Sequence, residues 1–410
     1  MKNDNVTMKV LLIAHKNPYP PNDGGSMGIY TMIDGLLLNK VQLDVLLMNP
    51  SRIFKPFHKS KVPSNIHFVK AININTDIRP LKMLINLLFQ KESYFITRFY
   101  DKNFESELIS LLHNNSYDII QLESIFSAVY LPIIKKYSQA KIVLSAHNVE
   151  YQIWERLARE EKNLLKKWYL QIQSKRLKTF EEKVLKNADG ITAVTELDKQ
   201  HILQWIGNKP IVVTPNGMNI KNFEVAPFEQ QKVNTLFYLG SLDWMPNQQG
   251  VVWFLDKVWP KVLQQNSNVQ LIIAGKKIPD WLKNRKEKNV RYYSDVPDTR
   301  ELYHQYAIMI VPLLAGSGIR VRIIEGMAYG KCIVSTSIGA EGVPYTDKKN
   351  IVIADQPDDF ANAIIHLIQH PERVKQIQIE ARKLAEQFYD REKVYLPIIQ
   401  MYHHLIETKN

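Results

Sequence analysis

Short apolar runs of strand length recur along this chain with helix-patterned stretches between them, in two separate series. The first run, Met8 to Ala14 (MKVLLIA), is followed by a Pro/Gly/Asn/Asp loop at His15 to Gly25, a helical pattern through about Asn39, and a second run at Gln42 to Met48. Further runs are NIHFVKA at 65–71, YDIIQLE at 117–123, KIVLSAH at 141–147 and GITAVT at 190–195. Continuous rather than alternating apolarity is what a strand needs when both of its faces are buried. The alternation of strand and helix predicts a parallel, doubly wound α/β sheet. A second series starts near Asn234 with TLFYLGS and continues through VQLIIAG (269–275), VRYYSDV (290–296), IMIVPLL (308–314), CIVSTS (332–337) and IVIAD (351–355). It predicts a second sheet of the same kind.

A length of 410 residues accommodates two such domains. Residues 206–233 carry Gly, Pro and Asn turns with little periodicity and are read as the linker. The expected division is an N-terminal domain at 1–205 and a C-terminal domain at 206–387, with a helix at about 388–410 packing back on the first. Trp154 to Ala188 reads as one charged, helix-prone segment. Open α/β sheets bind ligands outside the C-terminal ends of their strands, so the loops after each run are the places to look for chemistry.

Composition removes several classes. With 45% hydrophobic and 23% charged residues the chain is not of the disordered or low-complexity kind. Its one cysteine, Cys332, sits in an apolar run, which leaves no intrachain disulfide and no all-cysteine metal site, and suits a reducing, cytoplasmic setting. The uninterrupted apolar part of the first run, Val10 to Ala14, is shorter than the ~7 to 15 residues of a signal h-region, and no stretch approaches the ~18 needed to cross a bilayer. Gly24-Gly25-Ser26-Met27-Gly28 has the spacing of a nucleophile elbow, but Pro18, Pro20 and Pro21 separate it from the strand that an elbow requires. Gly326 to Lys331 mimics a P-loop with three residues between its glycines instead of four and no Ser/Thr after the lysine. No G-x-G-x-x-G follows the first strand and no Asp-x-Asp pair is present to hold a metal against a diphosphate. Any phosphate must be held by backbone amides and cations.

The segment Val311 to Thr336 (VPLLAGSGIRVRIIEGMAYGKCIVST) meets that requirement best. A buried strand ends in Ala315-Gly316-Ser317-Gly318, and a helix predicted from about Ile319 to Gly330 turns free amides and its positive end toward the strand ends. Gly318, Arg322 and Glu325 are spaced i, i+4 and i+7 and share one helix face, offering a cation and a carboxylate to an anion that also carries hydroxyls. The same pattern equally describes a solvent-exposed Arg–Glu pair on an ordinary helix.

This segment resembles the glutamate-x7-glutamate region of family 4 (group 1) retaining glycosyltransferases, in the subgroup that reads approximately G-x-G-x-R-x-K-x-x-E-A-M-A-x-G. Further segments resemble the same family in the same order: Asp23-Gly24-Gly25 its glycine loop, His147-Asn148-Val149-Glu150 its HNVE segment, Pro215-Asn216-Gly217-Met218 its PNG turn, Gly240-Ser241-Leu242-Asp243-Trp244-Met245-Pro246-Asn247 its G-S-M-D-W-x-P-N, and Val296-Pro297-Asp298 its VPD loop. The resemblance implies a GT-B fold, two Rossmann-like domains facing a cleft. It also implies that Glu325 holds ribose hydroxyls of a nucleotide-sugar, that Gly240, Ser241, Asp298, Gly316, Ser317, Gly318, Arg320 and Arg322 surround the donor, and that His147 with Gly24 and Gly25 faces the transferred sugar and the acceptor. Two departures bear on the chemistry. The family's first glutamate falls on Ser317, and the Arg and Lys that many members set against the diphosphate fall on Ser241 and Asn247. Arg322, on the Glu325 face, is the expected replacement cation, with Arg320 the alternative if the first helical turn is irregular. His147 by position alone reads as a structural histidine, Asp298 equally as the cap of the following helix, and Trp244 and Tyr238 as packing residues.

The expected activity is transfer of a sugar from a nucleoside diphosphate to an acceptor hydroxyl, carbohydrate or lipid-linked, with retention and with no metal or resident cofactor; a nucleotide-sugar epimerase on the same fold is the alternative. Of the net charge of +12, residues 51–100 hold nine Lys/Arg against two Asp/Glu and include the apolar stretch Pro80 to Phe89. That is the composition of a surface for peripheral contact with an anionic membrane, and equally of a solvated loop beside a core helix. Basic residues interleaved with aromatics, as nucleic acid requires, are absent.

Overall fold

The computed structural model describes residues 8–21, 24–315 and 320–408. The chain forms two compact units, one of residues 1–217 with 394–410 and one of residues 218–393. In the first, β1 (Lys9–Ala14), β2 (Gln42–Pro50), β3 (Phe68–Ile74), β4 (Ile119–Glu123), β5 (Lys141–Ala146), β6 (Gly190–Ala193) and β7 (Ile211–Val213) form a parallel sheet in the order β3-β2-β1-β4-β5-β6-β7. In the second, β8 (Lys232–Leu239), β9 (Gln270–Gly275), β10 (Val290–Ser294), β11 (Tyr306–Val311), β12 (Cys332–Ser335) and β13 (Val352–Ile353) are ordered β10-β9-β8-β11-β12-β13, again parallel. Both are doubly wound α/β sheets. The strand order reverses between β1 and β4 in one and between β8 and β11 in the other.

Side chains of each strand alternate between two cores, because successive residues point to opposite faces. Leu11 and Ile13 enter one cluster with Leu46, Leu122 and Leu144, while Val10 and Leu12 enter another with Val45, Ile119 and Val143. The second sheet divides in the same way, with Leu236, Ile273 and Ile310 on one side and Phe237, Ile272 and Met309 on the other. Burial on both faces is what the continuous apolar runs encode.

Three boundaries differ from the expected ones. Residues 206–233 are not simply a linker: they contain β7, which extends the first sheet by pairing with β6, so the division falls after Gly217 rather than at 205. The chain returns to the first unit at Val394, not 388, because the helix Pro371–Phe388 belongs to the second unit and Met218 pairs in parallel with Asp390. The charged segment 154–188 is two helices, Glu150–Glu160 and Leu164–Asn187; the break is fixed by Asn163, whose side chain accepts from Lys166 N at the start of the second. Among the described residues no helix is long and apolar enough to cross a membrane.

The terminal helix Leu396–Glu407 closes one face of the first sheet. Ile398, Met401, Tyr402 and Leu405 are buried in the cluster that holds Val10 and Leu12, and Tyr402 Oη donates to Gln121 Oε1 of β4 at 2.6 Å. Ile398→Ala should destabilise the protein by about 2 to 5 kcal/mol through the cavity it leaves. Urea unfolding followed by circular dichroism checks it; a loss below about 1 kcal/mol contradicts the packing role.

Candidate functional site

In the first unit, chemistry gathers at the C-terminal ends of β4 and β5, beside the point where the strand order reverses. Glu123, the last residue of β4, is fully buried. Its Oε1 accepts from Gln121 Nε2 at 3.0 Å and Ser145 Oγ at 2.7 Å, and its Oε2 lies 2.8 Å from His147 Nε2. A buried carboxylate survives only when its lone pairs are occupied, and these three donors occupy them. With Nε2 donating to Glu123, the imidazole presents Nδ1 as its free nitrogen. That side of the ring faces Gly28, where a Cβ would lie 3.0 Å from His147 Cε1 and 3.2 Å from Nδ1. His15, just past β1, places its Nδ1 3.0 Å from the backbone oxygen of Glu123.

The turn after His147 is held from below. Glu181 of the helix Leu164–Asn187 is buried and accepts from the backbone N–H of Glu150 at 3.0 Å and of Tyr151 at 3.1 Å, capping the helix Glu150–Glu160. Burial pushes its carboxyl up from 4.5 to about 8, more than the two N–H bonds pull it down. Gly24 and Gly25 are not a loop but the first residues of the helix Gly24–Leu38; the glycine that touches the histidine ring is Gly28, one turn further on.

In the second unit the corresponding place is the end of β8 and β11. Gly240 follows β8, and its carbonyl oxygen lies so near Gly275, at the end of β9, that a Cβ there would come within 1.8 Å of it. Ser241 Oγ donates to Asp243 Oδ1 at 2.7 Å and Asn247 Nδ2 to Ser241 O at 2.8 Å, so the two positions that lack the family's cations brace the loop instead. Gly316, Ser317 and Gly318 lie outside the described residues.

Arg320 and Arg322 have different surroundings. The helix starts at Val321, so Arg320 is its non-helical cap residue, with φ −84° and ψ 102°. Its guanidinium lies 5.1 Å over the Trp244 ring, a cation–π arrangement that gives the indole a task beyond packing. Nε and Nη2 are buried without an acceptor among the described residues, and burial lowers the pKa of this cation. Arg322, by contrast, donates to Glu325 Oε2 at 2.5 Å. Burial disfavours its charge, but Glu325 and Tyr303 more than offset that and raise its pKa. Glu325 also has Tyr303 Oη 3.5 Å from Oε2. Arg322 is thus braced through Nη1 by a carboxylate of its own helix, whereas Arg320 rests on an aromatic face. The cap of the helix Arg300–Gln305 is Thr299 rather than Asp298; Asp298, just before it, accepts from Arg300 N at 2.9 Å and pairs with the Arg300 guanidinium, which holds its carboxyl down at about 2.

Glu123 and Gly28 were not singled out from sequence. Glu123 ends an apolar run and reads there as the edge of a strand, while Gly28 reads as one more glycine of a Gly-rich turn.

Known proteins share this organisation. Residues 24–222 match the family model described as Glycosyltransferase Family 4, and residues 233–370 the model described as Glycosyl transferases group 1. An uncharacterized 44.6 kDa protein in cps region of Klebsiella pneumoniae is 25% identical over 409 residues, 96% of this chain and 99% of that protein. Sucrose-phosphate synthase from Thermosynechococcus elongatus superposes with a TM-score of 0.65 at 16% identity, covering 98% of this chain and 100% of its own. HepE of Anabaena, solved in complex with UDP, does so with a TM-score of 0.65 at 14% identity, over 97% of this chain and 100% of its own. At these identities the structural likeness is one of fold.

Two outcomes are expected. Glu123→Gln keeps the shape but replaces the acceptor facing Nε2 with an amide, so turnover should fall about a hundredfold while the fold persists. Nitrogen-15 NMR of His147 should then show the proton moved to Nδ1, and an unchanged tautomer would refute the positioning role. Because the folded Glu181 carboxyl titrates near 8 rather than 4.5, the native state binds more protons between those values, and stability should fall as pH rises through that window. In Glu181→Gln this part of the slope disappears, as urea midpoints measured across the range would show.

Proposed function

Because the chain belongs to the group 1, family 4 glycosyltransferases and has their GT-B fold, we propose that it moves a sugar from a nucleoside diphosphate to an acceptor hydroxyl with retention of anomeric configuration. The second unit binds the donor and the first presents the acceptor side. The observation that carries this reading is the mouth at β8 and β11, where Arg320 lies over Trp244 with two nitrogens lacking an acceptor among the described residues and Glu325 stands on the helix that follows.

The residues divide the work as follows. Arg320 and the amides of the Ser317–Gly318 segment meet the diphosphate, supplying the charge that Ser241 and Asn247 do not. Glu325, held by Arg322 and Tyr303, offers its remaining lone pairs to the ribose hydroxyls. Asp298 shapes the neighbouring loop through Arg300. In the first unit, Glu123 fixes the His147 ring so that it meets a hydroxyl of the transferred sugar, with Gly28 leaving it room. The bond from the anomeric carbon to the diphosphate oxygen breaks as the acceptor oxygen bonds to the same carbon on the same face, and the acceptor proton passes to the departing diphosphate. Charge on the leaving group is met by cations and amides, so the reaction runs without a metal ion or a resident cofactor.

The named neighbours support this assignment, since HepE is described with UDP and with UDP-glucose. The Klebsiella relative supports a role in bacterial cell-surface polysaccharide or glycolipid synthesis, carried out on the cytoplasmic side.

A thermal-shift screen of nucleoside diphosphates and their sugars identifies the donor, because a ligand that binds only the folded state raises Tm. With that donor, Arg320→Ala and Glu325→Ala should each lower kcat/KM about a hundredfold or more with the fold intact, and activity should persist in EDTA. Wild-type turnover in either variant overturns the site, and loss in EDTA that Mg²⁺ restores overturns the metal-free route.

A further inference from the structure

The helix Pro80–Phe89 is packed inside out. Leu81, Leu84, Ile85 and Leu88, spaced i, i+3, i+4 and i+7 along one face, are all exposed, and Phe89 is 80% exposed. The residue it buries is polar. Asn86 accepts from Gln173 Nε2 at 3.1 Å and donates to Gln90 Oε1 at 2.7 Å and Glu92 O at 3.0 Å, while Arg176 donates to the carbonyls of Asn86 and Leu87 at 3.0 and 2.9 Å. These five polar contacts fix the orientation, so the apolar face is directed outward by construction.

A second apolar group continues it. On the helix Leu164–Asn187, Leu165, Tyr169, Gln173 and Arg176 fall on one stripe by the 3.6-residue period, and this is the stripe whose last two members hold Asn86. Its first member, Leu165, is 80% exposed, as is Leu164, with Trp168 beside them half exposed.

Both groups are rimmed by cations. Arg79, Lys82 and Lys91 flank the first and Lys162, Lys166 and Lys167 the second, against the carboxylates Asp77, Glu92 and Glu161; Lys166 pairs with Glu161. The other cations of residues 51–100 are partly committed elsewhere. Lys55 donates to Ser26 Oγ and Pro20 O, and Lys70 pairs with Glu107. Beside the inverted helix lies a cavity of about 300 Å³ lined by Arg79, Lys82, Tyr94 and Arg98, with one carboxylate, Asp77, also in its wall. Arg98 Nε is buried without an acceptor among the described residues, and burial together with nearby Arg52 lowers its pKa.

We propose that this face docks on an anionic phospholipid bilayer, with the leucines of Pro80–Phe89 and the Leu164–Trp168 turn in the acyl boundary and a lipid phosphate in the cavity lined by Arg79, Lys82 and Arg98. Exposed leucines need an apolar phase and the cations around them need anions, and an anionic bilayer surface supplies both within a few ångströms of depth. A second copy of this chain suits the face less well, since a two-fold contact would set the same cations against each other. Docking here keeps the enzyme where a lipid-linked acceptor would be found, but it does not depend on the assigned reaction.

Cosedimentation of the full chain with vesicles tests it without donor or acceptor, so its failure is separable from failure of the transferase assignment. The protein should pellet with phosphatidylglycerol/phosphatidylcholine vesicles and stay in solution with phosphatidylcholine alone. Leu84→Glu with Leu88→Glu should abolish pelleting, and Arg79→Gln with Lys82→Gln should lower partitioning about thirtyfold, both at wild-type Tm. Absence of binding to the anionic vesicles, unchanged binding by the leucine variant, or a dimer in light scattering that the leucine variant dissociates would each overturn the proposal.

Discussion

A parallel sheet covered by helices on both faces leaves water only at its ends, and everything this protein does follows from that confinement. The thirteen strands among the described residues are all parallel within their sheets, so the amide and side-chain groups that can meet a ligand accumulate at the carboxyl ends, above all where the winding reverses. Glu123 and His147 occupy that position in one unit, and the Gly240 turn with Arg320 and Glu325 in the other.

Two different ways of keeping a charge in low-dielectric surroundings support these sites. Glu123 is saturated with donors, which fixes geometry: the carboxylate stays put and the imidazole can take only one orientation against it. Arg320 is the opposite case, a guanidinium over an indole with two nitrogens that find no acceptor among the described residues. A fully paired charge positions its neighbours, and an underpaired one is an opening for a ligand. The distinction bears on Arg320 and Arg322, two residues apart, since Arg322 is paired through Nη1 with Glu325.

Most of the architecture could be read from pattern. Apolar run length and helical period placed the strands of both sheets, with NIHFVKA displaced by three residues from the observed β3 and the short β7 hidden among turn residues. His147, Glu325 and the two arginines were legible because they sit in motif loops. Glu123 was not, since a carboxylate at the end of YDIIQLE has no local signature of a partner 24 residues on. The sequence alone does not show that Arg320 is a cap residue and Arg322 a helical one, because that turns on where the helix begins, one residue after Arg320. The stretch PLKMLINLLF showed its composition but not its inversion, which depends on Gln173 and Arg176 far along the chain.

The sequence by itself determined two buried parallel sheets, the loops that carry chemistry and the family whose motifs those loops share, because strand and helix periodicity are local properties of a chain. Tertiary structure alone decided which carboxylate orients His147, that Arg320 lies over Trp244, and that the leucines of Pro80–Phe89 face out. Each of those outcomes rests on contacts between residues distant in sequence, as between Gln121 and Tyr402, 281 positions apart. Long-range partners are chosen by packing geometry, and no local pattern encodes them.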